Sequence, residues 1–410
     1  MKKRTNPQSH DPFAALRFRD YRLYTLAVLL ATMGYQMQSV AVGWELYERT
    51  ASAFALGVVG LVQVIPVILL SLPAGQIADR FERKYTVIWT MVMLAICSLG
   101  LAVLSYRQGS ITLIYTCLGL GRVARAFNQP ASEALLPQLV PLSVFSNAAT
   151  WHSSSFQLAT VVGPTLGGLI IALQNSATGV YGLDAALSLA SLGLVALITS
   201  QRSTHTIESV SLKTLAGGIQ FVWQHQVILA AIALDLFAVL LGGAVTLLPI
   251  FAKDILHVGA SGLGWLRAAP SIGAVLMALT LAYLPPLRQA GKTLLWAVAG
   301  FGIVTIIFGL SHWFWLSLLM LALSGAFDNV SVVVRRTLVQ VGTPDYLRGR
   351  VSAVSAVFIG ASNELGGFES GLAAALLSPA IAVVAGGIGT IIVVLVVALL
   401  SPEIRRLKSL

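Results

Sequence analysis

The sequence predicts an all-α membrane protein of twelve transmembrane helices in two six-helix bundles, and three observations predict it. First, 57% of the 410 residues are hydrophobic and only 10% are charged, against roughly 25% charged in an average soluble domain. With a mean hydropathy of +0.84, there is too little charge to cover a soluble surface of this size. Second, a helix needs about 20 apolar residues to cross the hydrocarbon core. Runs passing that test fall at about 23–46, 54–75, 85–105, 111–131, 148–172, 180–199, 226–250, 261–284, 293–311, 313–334, 350–376 and 379–400. Third, a polar stretch with Arg202, His205, Glu208 and Lys213 divides these runs six and six. The units are therefore 1–200, a connecting loop at 201–225, and 226–410.

The net charge of +10 is read from its distribution. Most Lys and Arg residues lie at the termini or in alternate connections, whereas Arg49, Arg107 and Lys253 fall in the opposite ones. Cations stay on the cytoplasmic side of a membrane, so both termini are expected there. A nucleic-acid site would need base-reading or stacking groups on a basic face; no such face is visible. Cys97 and Cys117 sit inside apolar runs without metal-ligand spacing, so no metal site and no disulfide framework is expected.

Taken in order, the chain opens with Pro12 to Arg19, which reads as a short interfacial helix. In the first span Tyr35, Gln38, Val42 and Glu45 recur at helical spacing on one face, a polar stripe directed at a central cavity. Glu45 is close to the outer end, where a solvated acid is the equal alternative. Tyr35 and Trp44 are candidates for stacking on a ligand, with anchoring at the lipid interface as the commoner role.

Between the second and third spans the chain reads Gly75-Gln76-Ile77-Ala78-Asp79-Arg80-Phe81-Glu82-Arg83-Lys84. This resembles the loop signature of the major facilitator superfamily, with Glu82 where that family usually has Gly. The resemblance implies a cytoplasmic gate latch built from Gly75, Asp79, Arg80, Arg83 and Lys84. Physically, Asp79 can face a helix N-terminus, whose dipole favours an anion, while the basic residues can serve simply to set topology. In the fifth span, Ala159 to Gly168 resembles the superfamily's antiporter motif through Gly163, Pro164, Gly167 and Gly168. Small residues at such positions let membrane helices approach closely.

The stretches Gly121 to Pro130, Leu347 to Val351 and Gly360 to Gly371 narrow the resemblance to the bacterial branch that exports drugs and siderophores. It implies export by proton antiport across a bacterial inner membrane. No cofactor is then expected; the proton is the coupling ion, and the partners are a small-molecule substrate and the lipid bilayer. The carrier is expected to be a monomer.

Ionisable residues inside spans cost about 2.5–3.5 kcal/mol on insertion scales and mark function or pairing. Arg122 and Arg125 share one face of the fourth span, and the resemblance makes an arginine there a proton-coupling or substrate element. Asp235 shares a face of the seventh span with Gly242 and Thr246. Arg267 is placed in the eighth span as a cavity residue; Asp328 and Glu369 are further proton-coupling or substrate candidates, with a structural clamp to Arg335 or Arg336 as the alternative for Asp328. Glu364 and Glu369, five positions apart, point to different sides of the eleventh. Asp235 and Glu364 are the two candidates for the exchangeable proton.

Other classes find less support. His10, His152, His205, His225, His257 and His312 show no zinc-hydrolase spacing. Ala290-Gly291-Lys292-Thr293 mimics a phosphate loop but has Pro286 where its first Gly belongs. No filter-like run indicates a channel. An importer or lipid flippase shares the scaffold, and the antiporter-like motif weighs against it.

Overall fold

A computed structural model describes residues 11–199, 212–284 and 289–406. Among these the regular structure is helical throughout. The helices are α1 (Arg19–Thr50), α2 (Ala53–Arg80), α3 (Arg83–Tyr106), α4 (Ile111–Leu135), α5 (Phe145–Gln174), α6 (Thr178–Ala196), α7 (Leu212–Gln224) and α8 (Gln226–Leu241). They continue with α9 (Ala244–Ile250), α10 (Gly259–Tyr283), α11 (Ala290–Leu310), α12 (Phe314–Gly342), α13 (Asp345–Leu376), α14 (Pro379–Leu400) and α15 (Pro402–Arg406). Leu69, Trp89, Ile96, Trp296 and Leu399 stand exposed on the outer faces. Water would penalise such a surface, but lipid does not.

Ten segments of the described residues are long and apolar enough to cross a membrane. The other two long helices, α4 and α13, are absent from that set. They carry Arg122 with Arg125, and Glu364 with Glu369, charges that lower their apolar character. The seventh crossing is interrupted. α8 ends at Leu241, Gly242 and Gly243 break it, and α9 runs into a π-helical turn over Phe251–Ile255. A helix broken at membrane depth is tolerated only where protein or a cavity satisfies its backbone.

Tight turns follow from local sequence. Ala51 adopts the left-handed conformation after α1, and Ser52 caps α2 by accepting from the Ala55 amide at 3.3 Å. Two expectations are corrected. The connection at 201–225 is not loop throughout, because α7 buries Phe221 and Val222 against Ile228, Val339 and Val351. The segment before α1 forms only one 3-10 turn, Ala15–Arg17. It is held instead by hydrogen bonds from the Ala15 amide to Asn147 and from the Trp151 indole to the Pro12 carbonyl, both 2.9 Å.

In the first half, α1 packs on α5 and α6, α3 on α4 and α6, and α2 on α4; in the second, α10 packs on α12, and α11 on α12 and α14. The halves meet chiefly along α2–α13 and α5–α10. The end where α1 begins and α14 finishes is termed proximal, the opposite end distal. At the distal end one apolar cluster draws on both halves, joining Met37, Leu46 and Ile171 to Leu247, Leu263 and Phe308. Near the proximal end the core divides. One cluster comes from Ala15 to Ile198, and two others from the second half alone. The apolar clusters are therefore shared by the halves distally and kept apart proximally.

Glycines make the distal seam possible. A Cβ on Gly371 would lie 2.5 Å from the Gly57 Cα, and one on Gly264 would lie 2.6 Å from the Pro164 carbonyl oxygen. Only a hydrogen side chain allows backbones this close.

Candidate functional site

A cavity of ≈ 420 Å³ lies between the halves, within the range of about 300–1,000 Å³ usual for small-molecule sites. Tyr35, Gln38 and Ser39 of α1 and Gln63 of α2 line one side; Arg267 of α10, Asp328 of α12 and Glu364 of α13 line the other. The α8–α9 break contributes Gly242 and Gly243, and Phe301 and Phe308 add apolar surface. The wall is mainly apolar, with a few polar groups of both charge signs, and suits an amphiphilic ligand.

Glu364 of the cavity wall meets Arg122, which with Arg125 lines a small adjoining pocket. Nη2 of Arg122 lies 2.9 Å from Oε1 of Glu364, with both side chains largely shielded. The pair joins α4 of the first half to α13 of the second. Arg122 lies eleven residues from the distal start of α4 and Glu364 twelve from the distal end of α13. Both are therefore about 17 Å along their helices, near mid-membrane. One turn on, the Arg125 guanidinium covers the Tyr35 ring at 3.7 Å, a cation–π contact. Arg267 donates to the Ser39 hydroxyl of the other half at 2.6 Å and to the Val245 carbonyl at 3.3 Å. Arg267 and Arg122 both interact electrostatically with Glu364.

The remaining sequence candidates separate into distinct environments. Glu45 neither lines the cavity nor is solvated. It is 6% exposed and pairs with Arg49 of its own helix at 3.2 Å, because the distal closure buries that end of α1. Asp235 does not face the cavity, since it forms a buried ion pair with Arg335. The clamp expected of Asp328 therefore belongs to Asp235, and Asp328 lies between the cavity and the side pocket beside Asp235. The face shared by Asp235, Gly242 and Thr246 is interrupted because the helix stops between them. Glu369 lies outside the cavity lining and accepts a 3.4 Å hydrogen bond from Ser370.

Both described basic residues of the 75–84 motif serve helix ends within the first half. Arg83 donates to the Ala134 carbonyl at 2.9 Å, and Lys84 to Ala196 and Ile198 at 2.9 and 2.6 Å. Cations are favoured at helix C-termini, where carbonyls lack partners. Gly75, Asp79 and Arg80 fall at positions whose side chains lie outside the described residues. In the antiporter-like motif α5 continues unbroken through Pro164. Gly163 and Gly167 pack on Met33 and Met37 of α1, while Gly168 packs on Ala260 and Gly264 of α10 across the halves.

Two features escaped the sequence reading. Asp184 of α6 is 1% exposed and accepts a 2.6 Å hydrogen bond from Ser98 through Oδ2. Its signal was available, an acid inside the sixth apolar run. Tyr47 donates to the Asp254 carboxylate across the distal closure. Nothing in the sequence joins two residues 207 positions apart. Among the described residues no group of three or more His, Cys, Asp or Glu is arranged to hold a metal.

Comparison with known proteins gives concordant findings. A family model described as transmembrane secretion effector matches residues 10–409. The chain is 25% identical over 391 residues to the enterobactin exporter EntS of Shigella boydii serotype 18, covering 95% of this chain and 93% of that protein. The EntS of Escherichia coli O157:H7 gives the same identity and coverage. Among solved structures, a bacterial homologue of the lysosomal transporter Spinster, inward-facing and occupied, aligns with TM-score 0.72 at 14% identity over 95% of this chain and 97% of that one. A bacterial homologue of the iron transporter ferroportin, inward-facing, aligns with TM-score 0.73 at 16% identity over 95% and 99%.

Proposed function

Because the chain belongs to the transmembrane secretion effector family of the major facilitator superfamily, we propose that it exports a small amphiphilic molecule, a siderophore or drug-like compound, in exchange for protons. It is a multi-pass membrane protein, and on this reading it occupies the bacterial inner membrane with its proximal end in the cytoplasm. The cavity then faces inward, and the fused distal end seals it from outside.

The observation that carries the reading is the Arg122–Glu364 pair, which spans the halves at the cavity wall. A proton-coupled carrier needs a group whose proton affinity differs between its two conformations. With the pair made, Glu364 is held as a carboxylate. When the halves rearrange and Arg122 withdraws, an uncompensated carboxylate remains, and binding a proton removes that cost. Substrate and proton then use the site alternately. Arg267 supplies a cation to acidic or catecholate groups of a substrate, and the apolar wall accommodates the rest. One proton crossing about 100 mV yields about 2.3 kcal/mol, enough for roughly a fiftyfold gradient at about 1.4 kcal/mol per decade.

The experiment is transport in proteoliposomes of purified protein, with enterobactin, a macrolide and a lipophilic cation as probes. Substrate-dependent proton movement opposite to substrate flux supports antiport and identifies the ligand class. Flux in the same direction as protons, or flux indifferent to a pH gradient, overturns it.

A further inference from the structure

Resting on the proton-coupled reading, we propose that Asp184 is a second proton-carrying site, buried in the first half, whose protonation sets the positions of the cavity residues Tyr35 and Gln38.

The geometry begins with an unpaired oxygen. Oδ2 of Asp184 accepts from Ser98 at 2.6 Å, while Oδ1 is buried without a hydrogen-bond partner. A buried carboxylate left in this condition is costly, and a protonated carboxyl much less so. Space for the carboxyl is reserved by Gly34 of α1, where a Cβ would collide with Oδ1.

Two lines run from Asp184 to the cavity wall. Ser98 lies 3.4 Å from the Gln38 amide nitrogen, and Gln38 lines the cavity. The Arg125 guanidinium interacts electrostatically with Asp184 but stacks on Tyr35, another cavity residue. Arg125 therefore has two alternative partners within the first half, an aromatic face and a carboxylate. With Asp184 neutral it rests on Tyr35, the arrangement observed. With Asp184 ionised it is drawn to the carboxylate, which frees Tyr35 to move in the cavity.

The groups around Asp184 make this choice local. Asp184 itself faces Ser98 of α3 and Arg125 of α4. Around Arg125 in turn lie Tyr35 of α1, the Cys97 thiol of α3 and Arg122 of its own helix. The one ionisable side chain of α5, His152, stacks on Tyr24 instead. On α6 itself Tyr181 faces Glu45 and Arg49. The proton step balances simply. An O–H bond forms at Oδ1 with a proton from the solvent that enters the cavity, the carboxylate becomes neutral, and Arg125 keeps its charge. Reversal returns the proton to whichever side the cavity then faces.

Infrared difference spectroscopy of the purified full-length protein between acid and alkaline buffer tests this without any substrate. Its outcome is therefore separate from that of the transport assay. The expected result is a protonated-carboxyl C=O band that disappears on alkalinisation. The band is absent in Asp184→Asn, retained in Glu364→Gln, and displaced in Ser98→Ala, which keeps the acid but removes its hydrogen bond. Ser98→Ala also carries the test if Asp184→Asn does not fold. A band that persists in alkaline buffer marks a permanently neutral structural carboxyl and overturns the proposal. So does a titration unchanged in Asp184→Asn, or one whose band is not displaced in Ser98→Ala.

Discussion

Arg122 of α4 and Glu364 of α13 form an ion pair of 2.9 Å that joins the two halves at the central cavity. Each side chain comes from a helix that is not among the ten most apolar spans. Proximally the apolar core is divided between the halves, and distally it is shared. The pair therefore ties the halves together between the shared and the divided parts of the core, a position at which one charge change can bias their packing.

Removing one partner should uncouple transport before it unfolds the protein. Glu364→Gln is expected to lower pH-gradient-driven flux at least tenfold, about 1.4 kcal/mol of coupling. Arg122→Gln should behave alike. The exchange Arg122→Glu with Glu364→Arg should recover the melting temperature lost in the single variants without recovering coupling, because the acid then sits on the wrong helix. Proteoliposome flux with and without a pH gradient, alongside thermal melting, checks this. Coupled flux in Glu364→Gln would exclude the acid.

Asp235 is expected to matter for stability instead. Its partner Arg335 is buried, and an unpaired buried charge costs about 3–5 kcal/mol. Asp235→Asn should therefore reduce folded yield and melting temperature sharply. Replacing both residues, as Asp235→Leu with Arg335→Met, should restore much of the loss. Whatever Asp235→Asn protein folds should retain coupled flux, and its melting curve compared with that of the double variant decides the matter.

The sequence and structure agree where the physics is one-dimensional. Span positions follow from apolar run length, and Arg122, Arg267 and Glu364 stand out in the sequence because a charge inside such a run is costly wherever it points. Pairing was not legible. Asp235 and Asp328 carry the same chemical signal, and only the packing of α8 on α12 gives Arg335 to the former. The stripe from Tyr35 to Glu45 was correctly periodic, yet distal closure buried Glu45 against Arg49. The break at Gly242-Gly243 was hidden because paired glycines are common in apolar helices and stop one only when neighbouring helices satisfy the freed backbone.

The distal seam should respond to single carbons. Gly371→Ala places a methyl group 2.5 Å from the Gly57 Cα, and Gly264→Ala places one 2.6 Å from the Pro164 carbonyl oxygen. Overpacking of this kind costs about 1–3 kcal/mol, so each change should shift the population toward a distally open form by about 5- to 150-fold. Tyr47→Phe, which removes only the hydrogen bond to Asp254, should shift it by about 1 kcal/mol. Spin labels introduced through Glu48→Cys and His257→Cys, with both native cysteines replaced by serine, report the distal separation. Distances unchanged in all three variants would show that the seam does not gate.

Arg267 offers the sharpest test of what the cavity recognises. Its guanidinium is held by Ser39 at 2.6 Å and by the Val245 carbonyl at 3.3 Å, so its position depends on a fork of donors that lysine lacks. Hydrogen bonds to charged groups contribute about 1.5–3 kcal/mol. Arg267→Gln should therefore raise KM for an anionic or catecholate substrate by roughly 10- to 150-fold. Arg267→Lys, keeping the charge but not the fork, should fall between the two. A neutral lipophilic substrate should be far less affected by either change. KM measured for enterobactin and for a macrolide in the same proteoliposomes separates these outcomes. Equal losses for both would assign Arg267 to joining α1 and α10 rather than to substrate.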